Sequence, residues 1–148
     1  MIDQNNQVII GIDGQKMSKN YNNTLPIFAT ESELKKRIGK IQTDSTPLGE
    51  PLDPSQCNVF KLFSYIASTE QQEALKKEYQ SGDIGYGHAK KYLLEAYLAY
   101  FKKQKEKFDQ LIDNHAAIDE VLMQSSQEVS KTARTHLADI KSSLGLLS

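Results

Sequence analysis

Lys16 and Lys19 stand three residues apart in Lys16-Met17-Ser18-Lys19-Asn20, a stretch reached through Gly11-Ile12-Asp13-Gly14-Gln15. Two ammonium groups on one loop with glycines on its approach are suited to a polyphosphate. They can close over it and neutralise charge as it moves onto a leaving group. A basic pentad also recurs by chance as an ordinary solvated loop, so its surroundings must separate the two readings. Those surroundings are the apolar run Val8-Ile9-Ile10 before the glycines and the Asn-rich exit Asn20-Tyr21-Asn22-Asn23-Thr24 after the lysines.

The elements that must position this loop fall into two parts. Residues 1–29 read as irregular chain with one short strand near Val8–Ile10, and residues 30–148 read as helical. Residues 11–24 show glycines and polar side chains without an apolar anchor, so the loop is expected to be mobile. Thr30 with Glu33 is a capping box, in which Thr30 accepts from a first-turn amide and Glu33 reaches back. The helix it opens carries Leu34, Ile38 and Ile41 on one face, with Lys35, Lys36, Arg37 and Lys40 mostly off that stripe. Thr43–Pro51 is a loop by turn chemistry.

Asp53-Pro54 predicts the next helix start, with Asp as N-cap and Pro at the first position. Val59, Phe60, Leu62, Phe63 and Ile66 give that helix a wide apolar face. Thr69 with Gln72 suggests another capping box, Leu75 and Tyr79 the core side of a third helix, and Ser81-Gly82 its stop. The longest helix runs from about His88 to Ile112, with Ala89, Tyr92, Leu93, Ala96, Tyr97, Tyr100, Phe101, Phe108 and Leu111 inward. Aromatics at this spacing can stack bases, but a helix core is their ordinary use. Lys102, Lys103, Lys105 and Lys107 can touch nucleic-acid phosphates, while a solvated helix end near its C-terminal dipole is the simpler reading. Asp113-Asn114-His115 breaks the helix. A last helical region, kinked near Ser125-Ser126, ends at Gly145.

With 148 residues, the chain is about one domain, and its 39% hydrophobic and 25% charged residues mark it as globular. A net charge of −1 gives no global basic field towards nucleic acid or membrane. Arg37 and Arg134 are the two arginines; the other fixed cations are lysines, which suit mobile phosphate contacts more than bidentate base reading. Cys57 is the single cysteine, which rules out an intrachain disulfide and a thiolate metal cluster and fits a reducing cytoplasm. His88, His115 and His136 lack ligand spacing, so no metal site is expected. No apolar run is long enough to span a bilayer, and no signal peptide is evident.

The pentad resembles the lysine signature of class I aminoacyl-tRNA synthetases, whose usual fifth residue is Ser where Asn20 stands here. The longer string from Gly11 to Thr24 is similar to one branch of the bacterial tryptophanyl-tRNA synthetases. Thr43-Asp44-Ser45, Asp53-Pro54 leading to Cys57-Asn58-Val59-Phe60, Gly85-Tyr86-Gly87-His88-Ala89-Lys90-Lys91, and the closing Ala133-Arg134, Leu137 and Gly145-Leu146 resemble later segments in the same order. Tyrosyl enzymes share the lysine loop but not this series. The resemblance implies a mainly α fold: a helical bundle preceded by a short strand and the KMSKS-type loop. It divides the chain into 1–29, a remnant of the catalytic domain, and 30–148, a helical domain on the tRNA side.

The implied reaction joins tryptophan to the α-phosphorus of ATP, with magnesium accompanying the nucleotide, and then charges the tRNA. By the resemblance, Lys19 meets the leaving pyrophosphate and Lys16 adds a second contact on closure. Ser18 offers a hydroxyl and an amide, Met17 packs against the fold or the adenine, and Asn20 can still donate to a phosphate. The backbone around Val8 passes the adenine edge. Arg134 is read as a surface salt-bridge residue rather than a tRNA contact. The parent family is homodimeric and cytoplasmic.

The chain lacks the His-x-Gly-His or His-x-Gly-Asn tetrapeptide and the βαβ series of the family's N-terminal Rossmann-like domain. It is therefore expected to be the last part of the parent enzyme and inactive alone. Two other readings stand beside this one: a free-standing helical tRNA- or protein-binding module derived from such an enzyme, and a structural helical domain with a decayed lysine loop.

Overall fold

Helix α1 (Glu31–Gly39) begins where the sequence places a cap. The Thr30 hydroxyl oxygen accepts from the Glu33 amide at 3.3 Å, and the Glu33 carboxylate accepts from the Thr30 amide at 3.0 Å. Glu31 and Glu33 sit at its positive end, Lys36 and Arg37 at its negative end, both the favourable way round. Leu34, Ile38 and the following Ile41 are buried, as their spacing predicts. The structure is a computed structural model that describes residues 8–47 and 49–146; Leu48, in the loop predicted after α1, lies outside these.

Asp53 caps a turn rather than a helix. Its carboxylate accepts from the Ser55 amide at 2.8 Å and its carbonyl from the amides of Gln56 and Cys57. The turn lets Leu52 and Cys57 both be buried, and α2 (Asn58–Ser64) starts only after it. Val59, Leu62 and Phe63 of α2 enter the core.

The capping box of α3 (Thr69–Ser81) is one residue earlier than predicted. Ser68 accepts from the Gln71 amide and Gln71 reaches back. Gln72 is diverted instead: its side-chain nitrogen donates to the carbonyl of Ser64, at the end of α2, and to that of Ala67 in the segment between α2 and α3. Gly82 closes α3 in the left-handed region, at φ 75°.

Helix α4 (Tyr86–Asp113) buries Ala89, Leu93, Leu94 and Tyr97. Its apolar stripe is narrower and shorter than the sequence pattern suggests. Tyr92, Tyr100 and Leu111 are exposed, and Ala96 and Phe101 only flank the core. Period alone overstates the face, because a tyrosine satisfies an apolar pattern equally well from the rim. Asn114 caps α5 (His115–Ser143) by accepting from the Ala117 amide at 3.2 Å. No break interrupts α5 at Ser125-Ser126, and no residue of it is buried. At its end, Leu146 N–H donates to the Lys141 carbonyl and Gly145 N–H to that of Ser142, with Gly145 at φ 65°. That is the pair of hydrogen bonds expected at a glycine-terminated helix end.

The strand expected at Val8–Ile10 is reduced to a single antiparallel bridge, Ile10 with Lys16. Among the described residues no further strand offers itself for pairing. The chain forms two compact units, one up to Lys105 and one from Glu106. The shared core of Leu34, Ile38, Val59, Leu62, Phe63, Leu75, Tyr79, Leu93 and Tyr97 belongs wholly to the first. Ile10, Ile12 and Met17 pack against that same core, so the lysine loop has the apolar anchors that its sequence pattern hides.

Candidate functional site

The loop that carries Lys16 and Lys19 is built around one side chain, Asn23, which is 1% exposed. Its amide nitrogen donates to the Asp13 carboxylate at 2.9 Å and to the Lys16 carbonyl at 3.1 Å. Its amide oxygen accepts from the Ser18 N–H at 2.7 Å, and its backbone carbonyl accepts from the Ile12 N–H at 2.9 Å. Leaving such buried groups unpaired costs about 1–3 kcal/mol each, so these contacts fix the loop's path. Gly11 makes the arrangement possible: a Cβ there would lie 2.5 Å from Asn23 Cγ.

The neck of the loop is closed by the Ile10–Lys16 bridge, with Gly11 N–H donating to the Gln15 carbonyl and Met17 N–H to that of Ile9. Gly14 turns the tip at φ 77° and lies against Asn58, whose amide donates to the Gln42 carbonyl. Arg37 of α1 holds the exit by donating to both oxygens of Asn22 and to the Thr24 carbonyl, at 3.1 to 3.4 Å. Just beyond, the Leu25 carbonyl accepts from the Tyr97 hydroxyl at 3.0 Å. Burial pushes that phenol up to about 12, so it stays a donor at any ordinary pH.

Within this frame the five predicted residues divide. Met17 is half-buried on the core, as expected of it. Lys16 and Lys19 are exposed, and neither forms an ion pair among the described residues. Lys19 opens a short 3-10 turn, Lys19–Tyr21, capped by Ser18, whose hydroxyl oxygen accepts from the Asn20 N–H at 3.3 Å. The Ser18 amide, expected to be open to a ligand, is taken by Asn23. Ser18 therefore keeps a hydroxyl proton to donate but no free N–H. Asn20 is exposed beside Lys19. The Val8 carbonyl accepts from the Tyr65 hydroxyl at 3.4 Å.

Asp13 is the structural acid of the loop. The Asn23 amide, and after it the Gln15 amide, hold its carboxyl below the usual carboxylate range. Beside the loop exit, Ile12, Asn22, Lys36, Arg37 and Lys40 line an open cleft with Glu33, three cations to one acid. No group of three or more His, Cys, Asp or Glu residues could hold a metal among the described residues. Arg134, expected in a surface salt bridge, is exposed on α5 and forms no ion pair among the described residues.

Asn23, Asp13 and Arg37 were not singled out by sequence reasoning. Asp13 and Asn23 lie ten residues apart with no periodic element between them, so no spacing rule joins them. The one available signal was an Asn-rich exit opposite a Gly-x-Asp-Gly approach.

Residues 4–102 match the family of class I tRNA synthetases for W and Y. A tryptophan–tRNA ligase of Campylobacter jejuni is 40% identical over 139 residues, which is 94% of this chain and 44% of that protein. The ligase of Fusobacterium nucleatum is 39% identical over 140 residues, 95% of this chain and 43% of its own. The chain thus spans less than half of these relatives. The crystal structure of tryptophanyl-tRNA synthetase from Campylobacter jejuni complexed with ADP and tryptophan superimposes with a TM-score of 0.91 at 39% identity. That match covers 97% of this chain and 45% of the other. No helix among the described residues is long and apolar enough to cross a membrane.

Proposed function

The chain belongs to the class I tRNA synthetases for tryptophan and tyrosine, and from that premise we propose that it is the C-terminal part of a tryptophan–tRNA ligase. Tryptophan is preferred to tyrosine because the relatives above are tryptophan enzymes along nearly the whole chain. In this reading residues 1–29 complete the catalytic domain and residues 30–148 face the tRNA. The enzyme works in the cytoplasm as a homodimer.

The observation that carries the reading is the contrast within the loop. Its backbone is pinned by buried hydrogen bonds, while Lys16 and Lys19 are exposed and form no ion pair among the described residues. Two free ammonium groups on a fixed frame are pre-organised for charge that develops at a departing pyrophosphate. Lys19 takes the pyrophosphate, and Lys16 joins as the loop, its internal bonds kept, closes as a unit. The Ser18 hydroxyl and the Asn20 amide donate to the same oxygens, and Met17 seats the loop on the core. Magnesium would accompany the ATP and screen its phosphate charge. Among the described residues no acidic or histidine cluster forms a cage for it, and no step depends on one.

The test is single-turnover adenylate formation in the full-length enzyme. Lys19→Ala is expected to slow it roughly a hundredfold to a thousandfold, about 3–4 kcal/mol, with tryptophan binding nearly unchanged. Lys16→Ala acts alike but more mildly, and Lys35→Ala leaves the rate as it was. The 148-residue chain alone is expected to show no tryptophan-dependent pyrophosphate exchange, because it spans less than half the length of these relatives. Wild-type rates for Lys19→Ala, or equal damage from Lys35→Ala, would falsify the reading.

A further inference from the structure

We infer that Asn23 is a positioning residue for the two lysines, setting the reach of the loop without itself touching a ligand. The inference rests on the reading of the loop as a phosphate clamp.

The carbonyl of Lys16 and the N–H of Ser18 are the peptide groups on either side of Met17, and Asn23 binds both, at 3.1 and 2.7 Å. One planar amide therefore fixes the backbone between the two lysines. Donor and acceptor are each used for what only an amide offers: the nitrogen gives one proton to Lys16 and one to Asp13, and the oxygen receives from Ser18. Because Asp13 also accepts from the Gln15 N–H at 3.0 Å, the link joins the approach to the exit. Asn23 is almost wholly buried and so is not placed to meet a nucleotide. Its effect must pass through the backbone. Displacement of a charged group by about 1 Å can cost a hundredfold in rate.

Asn23→Asp isolates the effect. It keeps the size and the acceptor for Ser18, removes both donors, and sets a second carboxylate against Asp13 and the Lys16 carbonyl. The double variant Asp13→Asn/Asn23→Asp restores a donor–acceptor pair between positions 13 and 23 with the roles exchanged.

The experiment measures adenylate formation in the full-length enzyme for Asn23→Asp, the double variant and Lys19→Ala, with tryptophan KM and near-ultraviolet circular dichroism for each. The expected result is a rate about tenfold to hundredfold lower for Asn23→Asp. Its tryptophan KM stays within about twofold, because the amino acid is held elsewhere, and its spectrum is native. The double variant recovers a clear part of the loss. A wild-type rate for Asn23→Asp beside a slow Lys19→Ala overturns the positioning role and leaves the clamp standing. Wild-type rates for both overturn the clamp and the inference with it. A slow Asn23→Asp with a lost native spectrum and no recovery in the double variant assigns Asn23 to folding alone, which also overturns it.

Discussion

At the scale of single residues, the site separates groups that act from groups that hold. Lys16 and Lys19 are exposed ends on a frame made by Asp13, Asn23 and Arg37. The sequence displays the first kind openly, because charged residues close together in a loop are visible without a fold. It hides the second kind, because their partners are up to fifteen residues away and meet only when α1 is packed. The holding groups have a measurable signature in Asp13. Hydrogen bonding, chiefly from Asn23, stabilises its charged form and lowers its pKa in the folded chain. A lowered folded pKa means a contribution fully present above the unfolded value of about 3.9 and lost as pH falls through the folded one. Carboxyl-carbon NMR of the chain should therefore show Asp13 titrating below a random-coil aspartate. In Asn23→Ala the same signal should move back up. An unmoved Asp13 signal in that variant would remove Asn23 as the dominant cause.

At the scale of elements, the helix starts and stops were more legible than the faces between them. Thr30, Gly82 and Gly145 act where their types predict, because a cap is a local bond between neighbours in sequence. Asp53 as a helix start, and Gln72 as the capping-box partner of Thr69, failed because other contacts claim them. The first is spent on a turn that brings Leu52 and Cys57 inward, and the second on the carbonyls of Ser64, at the end of α2, and of Ala67 beyond it. The apolar stripe of α4 was overdrawn because nothing in its period says where the neighbouring helices end. Two glycines show how environment decides the sign of one substitution. Gly82 has φ 75°, and a Cβ there would stand 2.9 Å from the Gly49 carbonyl oxygen. Gly82→Ala should cost about 1–3 kcal/mol from backbone strain, with the close contact added. Gly87, in the first turn of α4, has nothing within 4 Å of its missing Cβ. Gly87→Ala should stabilise the chain, by up to about 1 kcal/mol. Thermal unfolding of the two variants beside the parent chain measures both, and equal shifts in one direction would contradict the argument.

At the scale of the whole molecule, the chain is energetically two-sided. The buried apolar side chains belong to the unit that ends at Lys105, and the lysine loop is moored to that unit through Ile12, Met17 and Leu25. The 29 residues of α5 bury none of their side chains, and Val121, Leu122, Met123, Val129, Leu137 and Ile140 are all exposed. A helix with no buried residue draws little stability from an apolar face, which is where most helical stability in proteins comes from. Local opening should therefore cost far less in α5 than in the middle of α4, where Leu93 is fully buried. Hydrogen exchange of the 148-residue chain, followed by mass spectrometry, should show peptides from residues 115–143 exchanging at least about tenfold faster than those from residues 89–101. The loop offers an internal reference. Its Ser18 amide, bonded to buried Asn23, should exchange slowly, and the exposed Lys19–Tyr21 turn quickly. Uniformly slow exchange across α5 would mean that its apolar residues are covered in solution, and the two-sided account of stability would fall.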